Sequence, residues 1–387
     1  MANSLKTMWS ALAVSLAAIS SVNAAFFDDN CCPPADCPCP SSRPFLDPCG
    51  NWYLDVEGLC WEASEDGLAY ATKYSRNNPG QSGSPTSGSA SSSSSCGSND
   101  CDYKIDGRVK NIGSHWDGGF KVGIGTDLPC DGWDTLFKWT WFRTKKHQHE
   151  DNKDDSWLVG AYNTDCDDDY RLQEIKAKWH LNLNIFDWEI GREFCVSPCL
   201  SLRPFIGIRA AWVDQKYDIH SSFAGNPFDA DACDNTRKDG LRMKSKFSGA
   251  GVRGGLNSEW KWGCGFSIYG DFAGSILWGK FRRNTHLNRQ YTEEVAGEDY
   301  AREYCLQQKD HTSAGCRAIT DAAIGLRWKQ FFDCDRIALT FSIGWEHHCF
   351  FDQNRFENFG TCANPQPQVE RGDLYTQGVT FAARLDF

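Results

Sequence analysis

The sequence has no apolar run long enough to cross a bilayer as a helix. Such a span needs roughly 18 to 20 consecutive apolar residues, and the nearest approach, Cys264 to Gly279, is broken by Asp271. A chain of this kind can enter a membrane only as a closed β-barrel, because in lipid every backbone polar group must be paired within the protein. Excess positive charge is missing as well. Forty Lys and Arg stand against 51 Asp and Glu, a formal net charge of −11, which argues against nucleic acid or anionic lipid as the main partner. There is no nucleophile elbow, no zinc-protease helix and no phosphate loop, and the carboxylates are spread rather than paired. An enzyme is therefore the least supported class, and no catalytic residue, metal or cofactor is assigned.

What is abundant is aromatic: 16 Trp and 24 Phe in a chain whose mean hydropathy is only −0.52. That mixture is unusual for a soluble enzyme and expected of a barrel, where lipid-facing and lumen-facing residues alternate and aromatics ring both interfaces. The first residues read as an export signal: Lys6, an apolar and small-residue run from Met8 to Ile19, then Val22-Asn23-Ala24 as a cleavage pattern, so that residues 1–24 form the leader. All 19 cysteines lie beyond it, which implies an oxidising compartment and disulfides, and an odd count leaves at least one thiol over.

Residues 25–50 form a Cys/Pro-rich arm, with Cys31, Cys32, Cys37, Cys39 and Cys49 among prolines that exclude a central strand. Disulfides suit it better than zinc, whose usual ligand spacing is absent. Residues 77–100 are a Ser/Gly-rich exposed loop. Elsewhere, from 51 to 387, alternation of period two recurs. Examples are Trp179 to Ile185, Leu200 to Trp212, Phe266 to Trp278, Ala322 to Trp328, Ile337 to Trp345 and the closing Tyr375 to Phe387. Gly123 and Gly125 on an inner parity would leave space in the interior. The acidic stretch around Asp165 to Asp169 lacks the glycine and glutamate of a calcium loop, and His147 and His149 read as exposed loop residues.

Short turns near 128–132, 195–199, 261–264 and 331–335 alternate with long connections near 77–102, 145–169, 216–243, 281–316 and 351–372. A soluble sandwich has no reason to keep long and short connections out of phase; an outer-membrane barrel has short periplasmic turns and long external loops. The pattern predicts an all-β, antiparallel transmembrane barrel of about ten strands, with twelve to sixteen open if the longer segments split. Trp212, Trp260, Trp278, Trp328, Trp345 and Phe387 would lie at strand ends on the outer face. The inner parity carries Asp55, Glu57 and Arg253 together with Arg203, Arg209, Asp271, Asp321, Arg327, Arg336, Glu346 and Arg384, which describes a wet, charged lumen of undetermined selectivity.

Four stretches, GFKVGIGTDLPCDGW (119–133), LSLRPFIGIRAAW (200–212), GFSIYGDFAGSILWGKF (265–281) and LDF (385–387), resemble the major outer membrane proteins of the chlamydial and Legionella type. The resemblance runs from about residue 50 to the end and implies a pore-forming barrel in a cysteine-linked envelope network. The first expectation is thus a porin for small hydrophilic solutes, set in outer-membrane lipid, homo-oligomeric and disulfide-linked to envelope proteins. Cys130, Cys195, Cys199, Cys264 and Cys334 at short turns, with the cysteines of the arm, are the cross-link candidates. Phe387 resembles the terminal signal read by the barrel-insertion machinery. The alternatives are a non-conducting structural or adhesive envelope protein and a secreted, glycan-binding β-sandwich.

Overall fold

The structure is a computed structural model and describes residues 52–77, 104–128, 133–152, 156–162, 170–225, 236–295, 298–332, 337–359 and 368–387. The leader, the Cys/Pro arm, nearly all of the Ser/Gly segment, Cys130, Cys334 and Arg336 lie outside these residues.

Ten strands make the barrel: β1 Trp52–Glu65, β2 Trp116–Asp127, β3 Trp133–Asp151, β4 Tyr170–Arg192 and β5 Leu200–Gly225, then β6 Thr236–Gly263, β7 Phe266–Val295, β8 Glu298–Phe332, β9 Ile337–Asn354 and β10 Gly372–Asp386. Each pairs antiparallel with the next, and β10 returns to β1, so the sheet closes without an edge. At the seam Trp52 and Phe387 exchange backbone hydrogen bonds of 2.9 and 2.8 Å. The expected strand number is the observed one. Short strands lie outside the ring: Ala69–Asn77, paired with Lys104–Asn111 and with Ser156–Gly160, and Phe194–Ser197 against β5.

The wall has two tiers, and the oily face of the strands changes sides between them. In the tier nearest the termini the apolar residues point outward. On β7 these are Phe266, Ile268, Phe272, Ile276 and Trp278, while Ser267, Tyr269, Asp271, Ala273 and Ser275 point in. Beyond Trp278 the outward positions become Lys280, Arg282 and His286, and the inward ones include Phe281 and Leu287, which are buried like Leu277 just before the switch. On β4 the switch falls between Leu183 and Ile185, buried inside, and Trp188, exposed outside.

This inversion corrects the reading of 145–169, 216–243 and 281–316 as long loops. Their described residues are nearly all strand, and β8 alone has 35 residues. At about 3.3 Å per residue that is roughly 115 Å, far more than the about 30 Å of a bilayer core. The alternation continues there in the opposite phase. Cys305 and Cys316, which fall in the stretch 281–316, stand on β8. His147 and His149 stand on β3 rather than in a loop.

The turn between β6 and β7 shows why short connections sit at one end. Gly263, Cys264 and Gly265 all have positive φ, of 117°, 51° and 80°, and a Cβ on Gly265 would strike the carbonyl oxygen of Lys329. The inner glycines do not leave space, contrary to expectation: the ring of Tyr53 fills the position a Cβ on Gly125 would take, and Leu136, Asp55 and Lys138 crowd Gly123.

Phe272 is 62% exposed in the middle of the outward apolar band. Lysine there should cost about 2–4 kcal/mol if the band faces lipid. Urea unfolding in lipid vesicles reads that loss, and an unchanged midpoint would mean that the band does not contact acyl chains.

Candidate functional site

The lumen of the lower tier holds a continuous network of charged side chains from eight strands. On β1, Glu57 accepts from Lys121 of β2 at 3.0 Å and from Lys138 of β3 at 2.5 Å, and Lys138 also reaches Asp55 at 3.1 Å. Lys121 crosses to Glu346 of β9 at 2.7 Å. His348 links Glu346, at 3.3 Å from its Nε2, to Asp321 of β8, at 2.7 Å from its Nδ1.

Asp321 is the hub of the far side. Arg209 of β5 lies 2.8 Å from it and makes a two-point contact with Asp187 of β4 at 2.6 and 2.9 Å. Arg253 of β6 also donates to Asp321 and reaches Glu189 at 2.8 Å. A guanidinium offers a planar fork that suits such paired acceptors. Nearer the termini, Arg203 donates to Asp134 at 2.7 Å and to Asn257 at 2.8 Å, Asn257 donates to Asp271 at 2.8 Å, and Arg327 donates to Glu259 at 2.8 Å. Arg384 packs over the Tyr53 ring, 3.6 Å from its centroid, and donates to Asp386.

Charges taken out of water are costly unless paired and hydrogen-bonded, and here nearly every one is. The space left among them is a cavity of about 360 Å³. Arg203, Arg209, Asp271, Asp321, Arg327, Glu346 and Arg384, all expected in the lumen, line it. Lys121, Lys138, Asp187, Glu189 and His348 carry as much of the network but were not among the expected residues. Lys121 and Lys138 were legible, since they share the parity of Gly123 and Gly125 or its register partner. His348 was not, because the strand was ended at Glu346.

Above the charged tier the lumen is filled by apolar side chains. Phe142, Leu183, Val213, Phe247 and Phe281 follow one another round the wall in register, every one at most 2% exposed. Phe247 and Phe281 meet with ring centroids 4.8 Å apart. Trp61 joins the two tiers. Its ring packs tilted against His348 at 4.7 Å and against Phe142 at 5.5 Å, the Lys121 ammonium lies 5.3 Å from its centroid, and its Nε1 donates to Thr380. Higher still, Phe356 from the β9–β10 connection is buried against Tyr217. Among the polar groups there, Trp179 donates to Gln215, Gln215 to Glu65, and the Tyr217 hydroxyl to the carbonyl of Leu68, while Glu65 Oε2 and Thr376 Oγ1 are buried without a hydrogen-bond partner.

Trp212, Trp260, Trp278 and Phe387 are exposed on the outer face, while Trp328 and Trp345 are partly covered by Phe341 and Trp116; contrary to expectation Trp212, Trp278 and Trp345 stand mid-strand, because the strands run on past the apolar band. Cys264 is disulfide-bonded. Cys195 and Cys199 flank the β4–β5 connection, and Cys60, Cys305 and Cys316 are exposed free thiols. One group of possible metal ligands stands among the described residues: His149, Asp151 and Glu174 on the outer wall, with the His149 Nε2 at 2.6 and 2.7 Å from the two carboxylates. Lys176 pairs with Glu174 and already supplies a cation there.

In a search of curated proteins no relative matches. Solved structures of similar shape include the outer membrane protease OmpT from Escherichia coli, at 10% identity and TM-score 0.34, covering 87% of this chain and 96% of that one. A FadL homologue from Pseudomonas aeruginosa matches at 9% identity and TM-score 0.25, covering 87% and 90%. The toluene transporter TodX of Pseudomonas putida matches at 8% and 0.22, covering 88% and 90%. At such scores these likenesses say nothing about what the chain does. The family comparison does: the profile described as the Legionella pneumophila major outer membrane protein precursor matches residues 47–387, most of the chain, and the protein belongs to that family.

Proposed function

We propose that this outer-membrane barrel is a structural element of the envelope whose lumen is closed to solutes in the state described. The observation behind this reading is the buried apolar cluster above the charged tier, in which the arc from Phe142 to Phe281 on β3 to β7 joins Trp61 of β1, Ile319 of β8, Phe350 of β9, Leu374 of β10 and Phe356 of the β9–β10 connection. Interiors packed in this way have few voids larger than a water molecule. No enzymatic role is proposed.

Liposome swelling tests the reading. Vesicles carrying the refolded protein should take up small sugars no faster than protein-free vesicles, and rapid uptake would overturn it. The porin reading is the second one. It is favoured by the charged cavity of the lower tier, which would make a hydrophilic path if the apolar tier could be displaced.

Two further roles extend the proposal. Cross-links between neighbouring envelope proteins would use cysteines that the barrel itself does not need, since closure already pairs its backbone. Exposed Cys60, Cys305 and Cys316 add to the turn cysteines as candidates, whereas Cys264, expected among them, is already disulfide-bonded within the chain. Non-reducing gels of isolated envelopes should then show ladders that thiols collapse. Phe387, 56% exposed at the seam, would serve as the signal for the insertion machinery. Its deletion should lower the amount of folded barrel in the membrane severalfold, and unchanged surface levels would remove that role.

A further inference from the structure

We infer that the outer wall of the barrel, just above its apolar band, is a docking surface for phosphate-bearing lipid headgroups of the surrounding leaflet. The net charge of −11 argues against anionic lipid as the main partner of the chain as a whole, but the bases are not spread evenly. The register places Trp141, Trp212 and Trp278 at the upper rim of the outward apolar band, where amphipathic rings meet headgroups. The next row outward carries Arg143, Lys246 and Arg282. The row above it carries Lys145, Lys216, Lys244 and Lys309, and the third Lys178 and Arg242.

Only two carboxylates face outward among them. Asp214 pairs with Lys246 at 3.2 Å, and Asp218 is shared between Lys216 at 2.5 Å and Arg242 at 2.9 Å. The remaining bases of these rows are exposed on strands held rigidly by the sheet. A shallow cavity of about 500 Å³ opens on the same wall, where Lys176, His220, Lys238, Arg242 and His286 stand beside the carboxylates of Glu174, Asp218 and Asp239. On the opposite arc the first outward polar residues past the apolar band are Glu62 of β1, Gln377 of β10 and His347 of β9.

A band of fixed bases at headgroup depth, on one arc only, complements phosphate groups anchored at that depth by their acyl chains. Guanidinium and ammonium groups on neighbouring strands can reach one bisphosphorylated headgroup together. A free phosphate gains nothing from the apolar band beneath, and this separates the lipid from a soluble anion.

The test is native mass spectrometry of the full chain in detergent with bisphosphorylated lipid A, with phosphatidylcholine, or with inorganic phosphate. Wild type should retain lipid A in clear preference to phosphatidylcholine, a preference that weakens as salt screens the charges. Added inorganic phosphate at the lipid concentration should not displace it. The variant K145Q/K178Q/K244Q/R282Q should lose about tenfold or more of that preference, whereas R108Q, on the strand outside the ring, should keep it. The heat-modifiable shift on gels confirms that each variant is folded. If the fourfold variant fails that check, the pair K145Q/K244Q takes its place and should show a partial loss. Wild-type preference in the folded variant, or displacement of the lipid by inorganic phosphate, would overturn the proposal.

Discussion

Replacing Asp321 with alanine should destabilise the barrel by roughly 3–5 kcal/mol, the cost of breaking a buried ion pair by removing one partner. Its carboxylate serves Arg209, Arg253 and His348 at once. Without it, two guanidinium groups on the neighbouring strands β5 and β6 crowd each other, with their second partners, Asp187 and Glu189, as the only compensation. The loss should appear as a lower urea midpoint for unfolding from vesicles. Asp271 accepts one hydrogen bond, from Asn257, so Asp271→Asn should cost much less. Equal effects at the two sites would mean that the network is not organised around Asp321.

Removing the apolar tier should change permeability rather than only stability. In F247A/F281A two rings that touch at 4.8 Å and are 2% and 1% exposed are cut back to methyl groups. Large-to-small changes of this kind each cost about 3–5 kcal/mol where the surroundings cannot collapse, and the rigid barrel wall limits collapse. The breach would meet the cavity of about 360 Å³ beneath it. Planar bilayers that stay quiet with wild type should then show discrete conductance steps with the variant. Silence from a folded variant would place the barrier in the charged tier instead.

The closed barrel was legible because its signals are local. Alternation from Phe266 to Trp278, tight turns such as Gly263-Cys264-Gly265, and their order along the chain were enough for ten strands. The upper tier was not, for a physical reason. From Lys280 onward the solvent on the outside changes from lipid to water, so the same inward face that carried Ser267 and Asp271 now carries Phe281 and Leu287. A rule that apolar means outward reads these stretches as polar loops. The lumen charges Arg209, Asp321 and Glu346 were found by parity alone. Their mutual pairing was not, because it depends on which strands face each other across the ring, and that is set only by closure. Lys121 and His348, which join the two sides, follow from the same closure. The basic arc on the outer wall was not legible in the net charge, which averages over faces that meet different solvents.

The two-tier wall is tested most directly by a nitroxide scan along β7 from Phe266 to Leu287 in lipid vesicles. Even positions up to Trp278 should collide with oxygen dissolved in the acyl chains, and even positions from Lys280 with a water-soluble relaxant. Odd positions at Leu277, Phe281 and Leu287 should be protected from both. If those odd positions respond to the water-soluble agent, the lumen is open at that height and the account of a closed barrel is wrong.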